Sequence, residues 1–237
     1  MKDLVIVTGA SSGLGSATAK RLLHEGFSVV GIARRPVDPA ATFGEHYTHV
    51  RADLSELEAL PGLVRTILAD HGPPFGLVNN AAVGLDGLLP TMHNSEIARV
   101  LNLDLLSPIV LTKYVSRQML SHRRGRIVNV SSIVARTGFR GLSVYAAAKA
   151  GLEGFTRSLA RDLGPRGITV NCVAAGFVDT EMTRGLNDAD LVRIKNRSPL
   201  ARFATLEEVA GAITYLLSAD ASGVTGTVVT VDAGTSA

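Results

Sequence analysis

Short apolar runs alternate with longer stretches in which apolar and polar residues recur at helical spacing. Runs bounded by Gly, Asn or Asp read as strands buried on both faces, and the longer amphipathic stretches read as helices. "LVIVTG" predicts the first strand, and Leu14 to His24 a helix with Leu14, Ala17 and Leu22 on its apolar stripe. "FSVVGIAR" and "YTHVRADLS" predict the second and third strands, with Ser55 expected to N-cap a helix running to about Ala69. "FGLVNNAA" predicts the fourth strand, followed by two helical segments over 94–122 broken near Ser107-Pro108. "GRIVNVSS" is a strand, Val144 to Leu163 a long helix and "GITVNCVAAG" another strand. Leu206 to Leu217 predicts a last helix before a final strand in "GTVVTVDAG".

Strands regularly separated by helices imply parallel pairing through right-handed crossovers. The expected fold is therefore an α/β single domain spanning 1–237: a Rossmann-type, doubly wound parallel sheet with helices on both faces. The polar stretch 179–205 interrupts the pattern after the sixth strand, where such a sheet opens its ligand crevice. It reads as a substrate-side loop or lid, or as an ordinary helical insertion.

Composition narrows the function classes. The chain is 46% hydrophobic and 19% charged, which argues against disorder, and its net charge of +3 suits anionic small molecules without requiring nucleic acid. Its one cysteine, Cys172, sits in an apolar run and reads as a buried small hydrophobe rather than a nucleophile. One cysteine permits no internal disulfide, so a reducing, cytoplasmic setting is expected. The opening run meets Gly9 too early for a signal peptide or a membrane span. His24, His46, His49, His71, His93 and His122 form no ligand pattern, so no metal is expected.

Two features carry chemistry. "TGASSGLG" places Gly9, Gly13 and Gly15, with Ser11, Ser12 and Leu14, between the first strand and first helix. Small residues there let the backbone approach a pyrophosphate, and the helix N-terminus offers N–H groups to it. The second strand ends in Arg34-Arg35 rather than a carboxylate, which would repel a 2′-phosphate. Guanidinium grips such a phosphate, so the cofactor is read as NADP(H), with Arg34 the main contact and Arg35 assisting. Asp53 and Leu54 follow the third strand, where Asp53 is placed to bind the adenine amino group. Asn79 and Asn80, ending the fourth, are placed to fix a loop against the cofactor.

The second feature is Ser132, then Tyr145 and Lys149 four residues apart in an Ala-rich stretch. That spacing puts phenol and ammonium on one helix face. The ammonium is expected to lower the phenol pKa and make Tyr145 a proton donor and acceptor, with Ser132 a second hydroxyl.

These motifs resemble the short-chain dehydrogenase/reductase family over nearly the whole chain. "TGASSGLG" matches its cofactor turn, "NNAA" its fourth-strand motif and Ser132…Tyr145-x-x-x-Lys149 its catalytic signature, while "NLDL" supplies Asn102 as fourth member. The resemblance implies that Tyr145 protonates the carbonyl oxygen during reduction and that Ser132 hydrogen-bonds the same oxygen. It implies that Lys149 binds the nicotinamide ribose and tunes the tyrosine, that Asn102 anchors a water in a proton relay, and that Val178 and Thr180 border the nicotinamide, with Thr180 holding its carboxamide. A scaffold without turnover is the alternative of another class, but an inactive member would be expected to lose Tyr145 or Lys149.

Within the family, "YAAAKAGLEGFTRSLARDLGPRGITVN" and "GFVDTEMT" look like the 3-oxoacyl-[acyl-carrier-protein] reductase branch, which reduces β-ketoacyl thioesters with NADPH. Another small alcohol, sugar or ketone is the alternative substrate. The branch implies an acidic carrier protein as partner, for which Arg123, Arg124, Arg126 and Arg166 are candidates, although they precede their strands. It also implies a homotetramer paired through stretches near 105–121 and 144–163. Two departures stand out: Ala82 where the family motif has Gly, expected to be strained if its φ is positive, and Ala175 where it has Pro, expected to loosen the turn.

Overall fold

The computed structural model describes residues 2–178 and 195–237. Among them, seven strands form one parallel sheet in the order β3-β2-β1-β4-β5-β6-β7. The strands are β1 (Leu4–Thr8), β2 (Ser28–Ala33), β3 (Tyr47–Arg51), β4 (Gly76–Asn79), β5 (Gly125–Ser132), β6 (Ile168–Ala175) and β7 (Val228–Val231). The helices are α1 (Gly13–His24), α2 (Pro39–Thr42), α3 (Leu60–His71), α4 (Asn94–Leu101), α5 (Ser107–His122), α6 (Val134–Thr137), α7 (Ser143–Leu163) and α8 (Leu206–Leu217). No helix of the described residues is long and apolar enough to cross a membrane.

Alternating strand residues feed two cores, because successive side chains leave opposite faces of the pleat. Val5 and Val7 of β1 join Leu22 of α1 and Val209, Ile213 and Leu216 of α8 on one face. Leu4 and Ile6 join Val64 and Ile67 of α3, Leu111 and Val115 of α5 and Leu163 of α7 on the other. The sheet is thus doubly wound, and its order reverses between β1 and β4, where ligands bind in such folds.

Three local expectations change. Ser55 is not a helix cap: its N–H and hydroxyl both donate to Asp53 Oδ1, at 2.9 and 2.7 Å, and a short 3-10 turn at Leu57–Ala59 leads into α3. This side chain-to-backbone turn competes with capping. The helix over 94–122 is not broken at Ser107-Pro108; it widens into a π-helical turn at Asn102–Leu106 and continues as α5. Pro108 is accommodated as an early residue of α5, where a missing N–H is tolerated. Ala82 does not have positive φ, so the strain expected of it does not arise.

Candidate active site

The glycine turn is built by close approach. Gly9 (φ +69°) donates its N–H to the Ile32 carbonyl at 2.8 Å, and a Cβ on it would lie 2.9 Å from Asn80 Nδ2. A Cβ on Gly15 would sit 2.2 Å from the Gly9 carbonyl oxygen, so α1 can rest on the turn only as glycine. Gly13 also has positive φ, at +52°. Ser12 precedes α1 in extended conformation, its side chain makes no capping bond, and the first turn has no acidic residue. Unfilled N–H groups at a helix start with no opposing carboxylate suit an anion, so the turn fits a nucleotide pyrophosphate.

Thr8 and Asn80 tie this turn to the loop after β4. Asn80 donates from Nδ2 to the Thr8 carbonyl at 2.8 Å, and Thr8 Oγ1 accepts the N–H groups of Asn80 and Ala81, each at 2.9 Å. Asn79 serves elsewhere: its amide donates to Thr112 Oγ1 and Asn129 Oδ1, at 2.9 and 2.8 Å, within a buried network, not a cofactor loop.

The adenine end is basic. Arg35 reaches back to donate to Ser12 Oγ. Arg34, with an exposed side chain, lies 3.7 Å from Asp53 Oδ2. Arg51, which the sequence reading did not single out, ends β3 and donates from Nε to the Arg34 carbonyl at 3.1 Å. Parallel register explains it, since Arg51 pairs with Ala33 and so falls beside Arg34. Partial burial pushes the Asp53 carboxyl up, but the Ser55 donors and the Arg34 and Arg99 charges outweigh it and leave it below its ordinary value. Leu54, directly after Asp53, is buried in the core. Ser11 lies in the turn and Leu14 in the first turn of α1, both half-buried, and Val178 is buried after β6. Thr180 lies outside the described residues, as does 179–194 of the expected 179–205 insertion.

The reacting groups meet at the carboxyl end of β5. Ser132 closes that strand beside Tyr145, where its hydroxyl favours the phenolate form. Tyr145 and Lys149 lie one turn apart on α7, with the ammonium 5.4 Å from the centre of the phenol ring. Lys149 is buried and donates from Nζ to the Val130 carbonyl at 3.1 Å. Burial alone would lower Lys149, but the Tyr145 phenolate, once it forms at high pH, and the Asp104 carboxylate raise it above its ordinary value, and it stays an ammonium near neutral pH. The Tyr145 phenol moves opposite to the sequence expectation. Burial pushes it up, Asp104 adds to the rise, and the Lys149 ammonium and the Ser132 hydroxyl offset only part. Near neutral pH Tyr145 therefore carries its proton.

Asn102 is not brought to this group. It opens the π turn and donates from Nδ2 to the Ser55 carbonyl at 2.9 Å, on an outer groove shared with Ser55, Arg99 and Leu106. The residue facing Lys149 is Asp104, fully buried, with Oδ2 3.8 Å from Nζ. Two residues apart on a helical turn, Asn102 and Asp104 fall on roughly opposite faces. The sequence carried a signal for Asp104: Val100, Asp104, Ser107 and Leu111 form a stripe at helical spacing, and all four are buried.

Other expectations sort by position. Arg123, Arg124 and Arg166 lie at the amino ends of β5 and β6, away from Tyr145, and Arg124 is held by Asp3 through bonds of 2.8 and 2.6 Å. Burial lowers Arg126, and the neighbouring Arg124 charge adds to this. Burial pushes the Cys172 thiol up to about 12, as befits a core residue. Ala175 itself lies within β6, paired with Ser132 on one side and Val231 on the other, and the loop it was expected to loosen runs on beyond the described residues. Phe139 after β5 and Phe177 after β6 pack at 5.3 Å between ring centres, and Phe203 joins Phe177 at 6.4 Å. This aromatic cluster beside the site had no sequence-spacing signal, since its members come from three separate loops.

Comparison with known proteins agrees with this geometry. A family model described as Enoyl-(Acyl carrier protein) reductase matches residues 9–236. The chain is 40% identical over 237 residues to the 3-oxoacyl-[acyl-carrier-protein] reductase FabG of Pseudomonas aeruginosa, covering 98% of this chain and 96% of that protein. It is 38% identical over 234 residues to the FabG of Vibrio harveyi, with the same coverage of 98% and 96%. It is 39% identical to Nodulation protein G of a Rhizobium species over 233 residues, covering 97% of this chain and 95% of that one. A crystal structure of a putative gluconate dehydrogenase from Agrobacterium tumefaciens shares the fold with TM-score 0.92 at 24% identity, covering 98% of this chain and 95% of that one. With the glycine turn, the Ser132, Tyr145 and Lys149 group and the doubly wound sheet in place, the chain belongs to the short-chain dehydrogenase/reductase family.

Proposed function

We propose that the chain is an NADPH-dependent carbonyl reductase that converts 3-oxoacyl thioesters to 3-hydroxyacyl thioesters. The observation that carries this reading is the placement of protonated Tyr145, Ser132 and Lys149 on the crevice side of the sheet whose nucleotide end is lined by Arg34, Arg35 and Arg51. The substrate class is supported by the relatives named 3-oxoacyl-[acyl-carrier-protein] reductase.

The residues divide the work as follows. Arg34 and Arg51 receive the 2′-phosphate, and the start of α1 receives the pyrophosphate. When bound, NADPH supplies the hydride that adds to the carbonyl carbon. Tyr145 gives its phenolic proton to the carbonyl oxygen as charge develops there, and Ser132 donates a hydrogen bond to that oxygen. Lys149, anchored by the Val130 carbonyl, stabilises the phenolate left behind until solvent restores its proton. Phe139 and Phe177 form an apolar wall for the acyl chain.

For a carrier-bound substrate, exposed Arg140 in the loop after β5 offers positive charge on the site's own side of the sheet, unlike Arg123 and Arg166. Exposed Leu101 and Leu106 on the α4–α5 helix give a homotetramer its contact surface, whereas Leu111 and Leu152 are spent on the core. A cytoplasmic location accords with the single buried thiol.

The test is NADPH consumption with a 3-oxoacyl thioester, on a carrier protein and on a small thiol, beside matched free ketones. The reading expects thioester turnover with the 3-hydroxyacyl product. Turnover confined to free ketones would reject the thioester assignment, and turnover of none would reject the reductase.

A further inference from the structure

The π turn presents a charged group that the four-residue catalytic expectation did not contain. Asp104 is fully buried, its Oδ1 accepts the N–H of Val83 at 2.8 Å, and among the described residues its Oδ2 has no hydrogen-bond partner. That open oxygen lies 3.8 Å from Lys149 Nζ, and the two side chains are 0% and 3% exposed. A buried carboxylate is expensive, and a buried ion pair is seldom more stabilising than apolar residues of the same shape. Stability alone therefore gives little reason for an acid here. Position gives one, because a single side chain joins the loop after β4 to the lysine beneath Tyr145, from a π turn of the kind that often marks functional sites.

We propose that Asp104 is a positioning residue of the proton-transfer group: its carboxylate holds the Lys149 ammonium in place and keeps the Tyr145–Lys149 pair fully protonated to higher pH than the pair would manage alone. The inference rests on the reading of Tyr145 as general acid.

Among the described residues, the titratable groups around the pair are few. Tyr145, Lys149 and Glu153 come from α7, Cys172 from β6 and Asp104 from the π turn. Glu153 is engaged by Arg136 at 3.1 Å and Arg157 at 4.0 Å, and also accepts from Ser131 at 3.2 Å. Cys172 keeps its proton. Losing a proton from either member of the pair makes the site more negative beside a carboxylate, so Asp104 opposes that loss whichever member gives it up. Burial pushes Asp104 itself up, against the pull of Lys149 and the Val83 N–H. The sign for catalysis follows. Reduction needs the protonated pair, so it is full at low pH and fails as pH rises through the first loss. Removing the carboxylate charge moves that failure to lower pH.

Asp104→Asn keeps the acceptor for the Val83 N–H and the side-chain shape while removing the charge; Asp104→Thr, which keeps an oxygen, serves if the first variant does not fold. The first readout needs no substrate: an ultraviolet titration of the phenolate, taken for each protein as its difference from the same protein carrying Tyr145→Phe. The Tyr145 phenolate is expected at lower pH in the variant, and the alkaline limb of kcat/KM for NADPH-dependent reduction should move with it. On that limb kcat/KM should fall on the order of tenfold, the effect of about 1.4 kcal/mol of lost charge interaction. A phenolate that appears at the same or higher pH, in a folded and active variant, overturns the role of Asp104 alone. A shifted phenolate in a chain that reduces no carbonyl upholds the charge coupling and overturns the reductase reading.

Discussion

Thr8 and Asn80 hold the two halves of the sheet together at the point where strand order reverses. The amide of Asn80 donates to the Thr8 carbonyl at 2.8 Å, and the Thr8 hydroxyl receives the backbone N–H groups of Asn80 and Ala81 at 2.9 Å each. The glycine turn follows Thr8 directly, so this knot fixes where the pyrophosphate meets the protein. Thr8→Val keeps the shape and removes the acceptor, stranding two part-buried donors. The expected outcome is a loss of about 1–3 kcal/mol in denaturant unfolding. NADPH should also bind more weakly in a fluorescence titration, and unchanged values of both would remove the knot from the account.

In the proposed function Arg34 carries the choice of cofactor. Its guanidinium is exposed and 3.7 Å from Asp53, a loose pair that a 2′-phosphate can recruit. Arg34→Ala should weaken NADPH binding by roughly tenfold to a hundredfold, the worth of a charge-assisted hydrogen bond, and leave NADH binding nearly unchanged. Arg51→Ala should weaken NADPH in the same direction. Equal losses for both nucleotides would show that the arginines shape the loop rather than read the phosphate.

Asn102 and Asp104 separate two roles that the sequence motif merges. Asn102→Ala removes a hydrogen bond to the Ser55 carbonyl, for about 1 kcal/mol of stability. The pH profile of reduction should be left where it was. A displaced alkaline limb in Asn102→Ala would return that residue to the proton-transfer group.

The comparison of these two residues also shows what a sequence can convey. The sheet, its crossovers and the pairing of Tyr145 with Lys149 were legible because each rests on local periodicity. β5 and α8 fall on the expected residues, and α7 begins one residue early. Asn102 was chosen by residue type within a motif, and type says nothing about helical phase. The buried stripe through Val100 and Leu111 held the phase information and pointed to Asp104. The direction of the Tyr145 shift was not legible, because charge spacing is visible in a sequence and desolvation is not. Arg51 and the Phe139, Phe177 and Phe203 cluster depend on strand register and loop meeting points, which only the fold supplies.

The central claim is that Tyr145 delivers the proton to the substrate carbonyl. Its most direct test is Tyr145→Phe, assayed for NADPH-dependent reduction of a 3-oxoacyl thioester together with NADPH binding. The account predicts a loss of about 100-fold to 10,000-fold in kcat, the usual contribution of a general acid, with NADPH affinity retained. Reduction at an undiminished rate by the phenylalanine variant would contradict it.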